Sequence, residues 1–342
     1  HMQGSRGVVC HGRVDEITLE VTSYIKNGEF LSLYLPGDVD LPTNLAMEVA
    51  SDSGGSRSFR TVRNVWKVDG PEYSIRILRV DDGLEIEATR QEGAFPRHFD
   101  LRLLESLWFV LARPVDWQIR RHITAEADRL TIVPRLRPLE SPRLNPPLFF
   151  RRNGRFSAAL GEMLIKYLDY ITPYLEPRYH PTSVNVRQTL LASATNIQTE
   201  ALALGIGVES FIRREYERLG SPDEETLDGL AAALSYMEQW NGSEKLRERL
   251  CNAVSGMKGS NPRTAMNKLL QSGVLTEEQH KAWTKLRNTT AHGMDLIDDP
   301  VQVVQWCDHT HLMLLRLIFS RIGYKGPYTD YATVGWGETQ YP

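Results

Sequence analysis

The 342-residue sequence contains only three cysteines, Cys10, Cys251 and Cys307, and they lie far apart in the chain. An odd number of scattered cysteines argues against a disulfide framework and fits a protein of the reducing cytosol. Near the start of the sequence there is no apolar run of the kind found in secretory signal peptides, so no signal peptide is predicted. We therefore expect a cytoplasmic protein.

The sequence also lacks a hydrophobic run of membrane-spanning length. The most apolar late stretch, residues 312–319, is short and contains Arg316, whereas a spanning helix needs about 20 apolar residues. We expect no membrane association. An excess of positive charge is absent too, because the net charge is -3. This balance weakens a nucleic-acid-binding interpretation without removing it, since an enzyme that contacts a few phosphates does not need a basic pI.

What is present is typical of a globular protein of two domains. Hydrophobic residues make up 41% and charged residues 24% of the chain, and domains average about 150 residues. Residues 8–138 contain short runs of alternating apolar and polar side chains, and Asp81-Asp82-Gly83 separates two of them as a hairpin turn does. Residues 101–112 predict one helix, and the Gly/Ser-rich residues 51–58 predict a flexible loop. We expect a β-rich sensor or regulatory domain.

Residues 139–154 are predicted to be a linker. The wider segment 134–154 contains five prolines, which exclude regular structure, and five arginines beside Phe149 and Phe150. Two interpretations follow. Either the aromatic residues of an extended linker dock on a domain, or arginines and aromatics together grip a single-stranded nucleic acid. We favour the first.

Residues 155–325 predict an all-helical bundle, which makes the fold class α+β. Leu160, Met163, Leu164 and Leu168 recur at helical spacing. A stretch near residues 185–204 is predicted to be interrupted by Gly205-Ile206-Gly207, which is too weak a pattern for a nucleotide-binding loop because no strand precedes it. Residues 326–342, rich in Gly, Tyr and Thr, are predicted to form an irregular tail.

The most informative segment contains Arg287, Asn288 and His292 at the end of a predicted helix. Thr276 is the expected N-cap of this helix, and Gly293 fits its C-terminal stop. A guanidinium can hold a phosphate through its planar fork of donors, and an imidazole can move protons near neutral pH. These groups are the ones needed to cleave RNA without a metal. Asp299-Pro300 is then expected to open a long last helix that reaches Ile322.

Spacing alone is weak evidence, since Arg6 and His11 have the same separation in a terminal segment. The simpler interpretation makes Arg287 a solvated helix residue and His292 a polar cap. Cys307, His309 and His311 look like metal ligands when read as text, but residues two apart on a helix point to different sides. We expect no metal and no cofactor.

The motif Arg287-Asn288-x-x-x-His292 lies near the end of a predicted penultimate helix. With the motif in this position, the chain resembles the HEPN superfamily. The resemblance covers residues 155–325. Residues 103–115 vaguely resemble the N-terminal domains of ApeA-like anti-phage HEPN proteins. Many HEPN proteins are metal-independent ribonucleases of toxin and abortive-infection systems, so the resemblance implies an RNA substrate and catalytic roles for Arg287, Asn288 and His292.

The resemblance also implies partners. HEPN ribonucleases pair two such domains into one composite site, which implies a homodimer or higher oligomer. The N-terminal domain would respond to a phage-derived or cellular trigger. HEPN proteins often place a polar or acidic residue of an earlier helix against the motif arginine, and Glu200 is the candidate for this role. His280, seven residues before Arg287, is a second supporting candidate. The alternative function is a catalytically silent binding or scaffold module.

Overall fold

The computed structural model describes residues 17–22, 28–37, 39–53, 56–133, 144–150, 156–291 and 299–342. The chain divides into two compact units. Residues 1–104, 115–139 and 150–165 form what we call the sheet unit, and residues 105–114, 140–149 and 166–342 form the helical unit. The expected α+β class, with a β-sheet first and a largely helical region after it, is confirmed.

The sheet unit contains one eight-stranded antiparallel sheet with the strand order β1-β8-β7-β2-β6-β5-β4-β3. The strands are β1 (Ile17–Thr22), β2 (Glu29–Pro36), β3 (Leu45–Ser53), β4 (Ser56–Asp69), β5 (Tyr73–Val80), β6 (Gly83–Arg90), β7 (Ile119–Ile123) and β8 (Ala127–Ile132).

Alternation of side chains explains why these segments form strands with one buried face. In β2, Leu31, Leu33 and Leu35 are buried and the residues between them are only partly so, as the two-residue period of a strand requires. The predicted hairpin around Asp81-Asp82-Gly83 is confirmed as β5 and β6. The prediction of a loop at residues 51–58 is wrong, because Ser51 pairs with Ser58 across β3 and β4.

Two helices have their first turns in the sheet unit. Helix α1 (Phe99–Leu111) confirms the helix expected at residues 101–112, and α2 (Ser157–Ile171) begins the helical part of the sequence. At its start, α2 lies on β4, where the indole nitrogen of Trp66 donates to the carbonyl of Ser157 at 3.2 Å. A Cβ at Gly161 would come within 3.2 Å of Val68, so the missing side chain permits this close packing.

The remaining helices belong to the helical unit. They are α3 (Pro181–Ser193), α4 (Ile197–Glu215), α5 (Glu217–Gly220), α6 (Glu224–Glu238), α7 (Glu244–Gly256), α8 (Pro262–Gln271), α9 (Glu277–Ala291) and α10 (Pro300–Ile322). Helix α10 confirms the predicted last helix. Asp299 caps it by accepting a hydrogen bond from the Gln302 amide at 3.0 Å, and Gly323 ends it in the left-handed conformation.

Helices α4, α9 and α10 share a small buried cluster that holds the motif helix in place. Its members are Ala201 and Leu204 from α4, Leu286 from α9, and Val303 and Cys307 from α10, all at most 2% exposed. Since Leu286 directly precedes Arg287, burial of the leucine fixes where the arginine leaves the helix.

The prediction of an irregular C-terminal tail is wrong. It contains an antiparallel hairpin of β9 (Pro327–Asp330) and β10 (Gly337–Gln340). Tyr328 and Tyr341 pack their rings on Phe319 of α10, with centroids 5.8 and 5.5 Å away. Aromatic burial against α10 therefore gives this segment a fixed structure.

Part of the predicted linker lies in the described chain, as residues 144–150. The backbone amide of Phe149 donates to the hydroxyl of Thr329 at 2.7 Å, and its ring meets Trp336 edge-on at 5.5 Å. Docking of the linker's aromatics on a domain is thus confirmed for Phe149. The arginines of the linker lie outside the described residues. Within those residues, no helix has the length and apolar character needed to cross a membrane.

Candidate functional site

Helix α9 begins at a reciprocal cap. The amide of Gln279 donates to the Thr276 hydroxyl at 3.3 Å, and the Thr276 amide donates to the side-chain oxygen of Gln279 at 3.1 Å. This capping box satisfies two amides that the first turn leaves unpaired, and it confirms Thr276 as the N-cap. The described part of α9 ends at Ala291, so His292 and Gly293 lie outside the described residues.

The Gly205-Ile206-Gly207 segment does not interrupt a helix, contrary to expectation, because α4 continues through it. The break lies at residues 194–196, before Ile197. A Cβ at Gly205 would lie 3.9 Å from the Cα of Arg287, and the indole nitrogen of Trp283 donates to the Gly205 carbonyl at 3.2 Å. The backbones of α4 and α9 therefore lie in contact beside the motif.

A carboxylate on α4 holds Arg287. The Nε of Arg287 donates to Oε2 of Glu209 at 2.6 Å, while Arg213 donates through Nε and Nη2 to Oε1 at 3.1 and 2.7 Å. One carboxylate therefore orients two guanidiniums. Glu209 is only 18% exposed at its side chain, whereas Arg287 and Arg213 are 46% and 59% exposed. The carboxylate is the inner support and the arginines face solvent.

Electrostatics reinforce this arrangement. The hydrogen bond from Arg287 holds the pKa of the Glu209 carboxyl below its usual range, with Arg213 acting in the same direction against the effect of burial. The same contact raises the pKa of Arg287. Glu209 and Arg287 are consequently both charged near neutral pH.

Arg287 lies at a cleft of about 430 Å³ that α4, α8 and α9 enclose. Asn288 and His280 line the same cleft, so the structure brings together three of the residues that the sequence analysis selected. The ring of Trp283 lies 5.8 Å from Cζ of Arg287 and 6.2 Å from the ring centre of His280. Trp283 is itself buried, so packing holds its ring in place beside Arg287 and His280.

His280 is half-buried in this cleft. Burial lowers the pKa of its imidazole, the charge of Arg263 lowers it further, and Glu277 opposes both. Glu277 also pairs with Lys281 at 3.4 Å. A lowered pKa makes the neutral ring the main form at neutral pH, and a neutral imidazole can accept a proton.

Glu200, the predicted partner of Arg287, lies nine residues before Glu209 on α4 and is buried. Burial raises the pKa of the Cys307 thiol, and the negative charge of Glu200 raises it further. Glu200 therefore lies by the packed cluster of α4 and α10, and a carboxylate that pairs with Arg287 is Glu209, at 2.6 Å; the predicted role of Glu200 stays a prediction.

Two of the three residues that resemble metal ligands in the sequence, Cys307 and His311, lie in different surroundings. Cys307 lies in the buried cluster, and His311 stacks on Tyr331 with ring centres 6.5 Å apart. Searching the described part of the chain for three or more His, Cys, Asp or Glu side chains placed to hold a metal ion finds none. Arg6 and His11, which repeat the motif spacing, lie outside the described residues.

The sequence analysis missed Glu209, Arg213 and Arg263, all of which line the cleft. The four-residue spacing of Glu209 and Arg213 is a signal for a helical ion pair, but such pairs are common on solvated faces. Nothing local connects Glu209 to Arg287, which is 78 residues away. Comparison with protein-family models, with characterised proteins and with solved structures finds no match.

Proposed function

We propose that this protein is a metal-independent endoribonuclease of the HEPN type. The observation that carries the proposal is Arg287, held by Glu209 at a cleft that also contains Asn288 and the imidazole of His280. A fixed guanidinium that faces solvent is suited to bind a phosphate. The motif His292 follows Arg287 by five residues and is the proton-transfer group that the HEPN resemblance assigns.

The proposed chemistry is attack of a ribose 2′-oxygen on the adjacent phosphorus. His292 takes the proton of the 2′-hydroxyl, the new P–O bond forms, and the bond to the 5′-oxygen breaks as that oxygen gains a proton. The products carry a 2′,3′-cyclic phosphate and a 5′-hydroxyl. Arg287 stabilises the charge that develops on the phosphate, and Asn288 orients the phosphate or the ring.

The biological setting rests on the same resemblance. We propose that the enzyme acts in the cytoplasm in bacterial defence, of the abortive-infection or toxin type. Two copies would pair through the helical unit and combine their motifs. The sheet unit would sense a phage-derived or cellular trigger and regulate cleavage.

The test is cleavage of labelled RNA by the purified full chain in EDTA, with and without a heat-treated extract of phage-infected bacteria to supply a trigger. We expect products with 2′,3′-cyclic phosphate ends, and none with His292→Ala under the same conditions. Equal background cleavage by both proteins supports the catalytically silent binding module instead. A requirement for added divalent ions contradicts the metal-independent mechanism.

A further inference from the structure

We infer that the cleft contains a second phosphate subsite at Arg263, so that it binds an RNA strand through two phosphates and not a free mononucleotide. This inference names the substrate class of the proposed ribonuclease site and rests on that proposed function. It arises from the charges of the cleft and from their placement along it.

The charges of the side chains that line the cleft favour the binding of two phosphates. Among the described residues, Arg213, Arg263 and Arg287 line the cleft together with one carboxylate, Glu209. Three positive charges and one negative charge leave two in excess, with His280 counted as neutral. Each phosphodiester carries a single negative charge, so one bound phosphate would leave the cleft positively charged and two would balance it.

Arg263 is the cation that remains unneutralised. It is exposed, and across the described ranges no carboxylate forms an ion pair with it. Arg213 and Arg287, by contrast, share Glu209. Arg263 also lies in the first turn of the ten-residue helix α8, whose N-cap is Asn261, and the positive end of the helix macrodipole adds to its attraction for an anion.

The two subsites lie apart in the cleft. His280 and Arg287 are seven residues apart on α9, which places them about 10 Å from each other along the helix axis. Arg263 lies near enough to His280 for its charge to act on the imidazole. Arg263 therefore lies at the end of the cleft that contains His280, and Arg287 lies at the end that contains Glu209. A phosphate at Arg287 leaves the other position for the next phosphate of the same strand.

The experiment measures binding by calorimetry to the full chain, using RNA with methylated 2′-oxygens so that no cleavage can occur. The probes are a dinucleotide with one phosphate and a trinucleotide with two, both without terminal phosphates. The parent should bind the trinucleotide about tenfold more tightly, as one additional charge-assisted contact implies. Arg263→Gln should remove that gain and leave dinucleotide binding within about twofold.

Salt dependence gives a second readout that a merely structural role of Arg263 would not change. Each phosphate contact on a single strand contributes about 0.7 to the slope of log affinity against log salt. Arg263→Gln should lose about that amount for the trinucleotide, and Arg249→Gln on α7, a matched exposed arginine that does not line the cleft, should lose none.

The outcomes separate this inference from the proposed function. Equal trinucleotide affinity and slope for the parent and Arg263→Gln overturn the second subsite, even if the enzyme cuts RNA. A tenfold step that depends on Arg263, in a protein that never cleaves RNA, supports the subsite and contradicts the ribonuclease. Absence of binding to either probe overturns both.

Discussion

The two units each contain a cleft lined by arginine, histidine and aromatic side chains, but their charges are arranged differently. In the sheet unit the cleft is about 230 Å³, and three basic side chains each contact a different carboxylate. The pairs are Arg120 with Asp100 at 2.6 Å, Arg129 with Glu20 at 2.6 Å, and His122 with Glu29 at 3.2 Å. Three arginines, Arg97, Arg120 and Arg129, line this cleft with two carboxylates, Glu29 and Asp100, and Glu20 pairs with Arg129 from outside the lining.

In the helical unit a single carboxylate, Glu209, serves two arginines, and Arg263 adds a third positive charge. The described residues that line this cleft therefore carry a net positive charge. Residue types alone do not distinguish the two clefts, since both contain guanidiniums, imidazoles and aromatic rings. What distinguishes the helical unit's cleft, among the described residues, is a larger excess of arginine over carboxylate: three against one, compared with three against two in the sheet unit.

The largest effect should come from removing the motif guanidinium. Arg287→Ala should lower the rate of RNA cleavage by about 100- to 1,000-fold, because a charge-stabilising donor is lost, while Arg120→Ala in the sheet unit's cleft should leave the catalytic step within about twofold. Single-turnover cleavage rates on both variants check the comparison. Equal losses would show that the two clefts are not functionally different.

Two further variants sharpen this result. Asn288→Ala should be milder than Arg287→Ala because only an orienting group is lost. Arg6→Ala, which breaks the second Arg-His spacing, should change nothing. Thermal unfolding of each variant should stay close to the parent, since exposed polar positions cost within about 0.5 kcal/mol. A cleavage defect accompanied by unfolding would not support the catalytic assignment.

The next effect concerns a buried imidazole in the helical unit. Burial lowers the pKa of His311 to about 4 from 6.5. Above pH 6.5 the ring is neutral in both the folded and unfolded states, and the full stability is present. As the pH falls from 6.5 to about 4, the unfolded state binds a proton that the folded state does not, so the free energy of unfolding falls by about 1.4 kcal/mol per pH unit.

His311→Leu should remove this acid sensitivity. Denaturant unfolding between pH 8 and pH 4 gives the slope for the parent and the variant, and the values at pH 8 show the packing cost of the substitution alone. We expect the variant to lose less stability on acidification by up to about 3 kcal/mol at pH 4. Parallel pH profiles would contradict the burial of a neutral His311.

The smallest effect should come from Glu209→Gln, which tests whether one carboxylate orients two arginines. The rate constant of the cleavage step should fall about tenfold because Arg287 loses its support. RNA affinity at low salt should rise or stay equal, because one negative charge leaves the cleft. Measuring kcat and KM separately shows whether the cleavage rate falls while RNA affinity does not. A loss of affinity with an unchanged kcat would contradict the prediction.

The local features of the helical unit were predictable from sequence. Thr276 and Asp299 were identified as helix starts, because a cap depends on atoms within three residues of the helix end. The placement of Arg287 and Asn288 on one described helix was predictable for the same reason. The predicted placement of His292 lies outside the described residues and stays a prediction.

Several errors came from interactions between distant segments. Residues 51–58 have the composition of a loop, but residues 51–53 pair with residues 56–58 as strands, because β4 continues into the sheet through β5. The tail from Pro327 onwards is rich in Gly, Tyr and Thr, yet Tyr328 and Tyr341 are buried against Phe319. In both cases tertiary pairing outweighs local propensity.

The sequence by itself determined that a guanidinium and an amide sit on one helix, because helical spacing is a local property. Only the tertiary structure decided which carboxylate holds that guanidinium and which other cations share its cleft. Helix α4 lies against α9, where Trp283 donates to the Gly205 carbonyl, and this contact brings Glu209 to Arg287 across 78 residues. Charge balance in a cleft depends on distances between separate helices, and no sequence spacing encodes those distances.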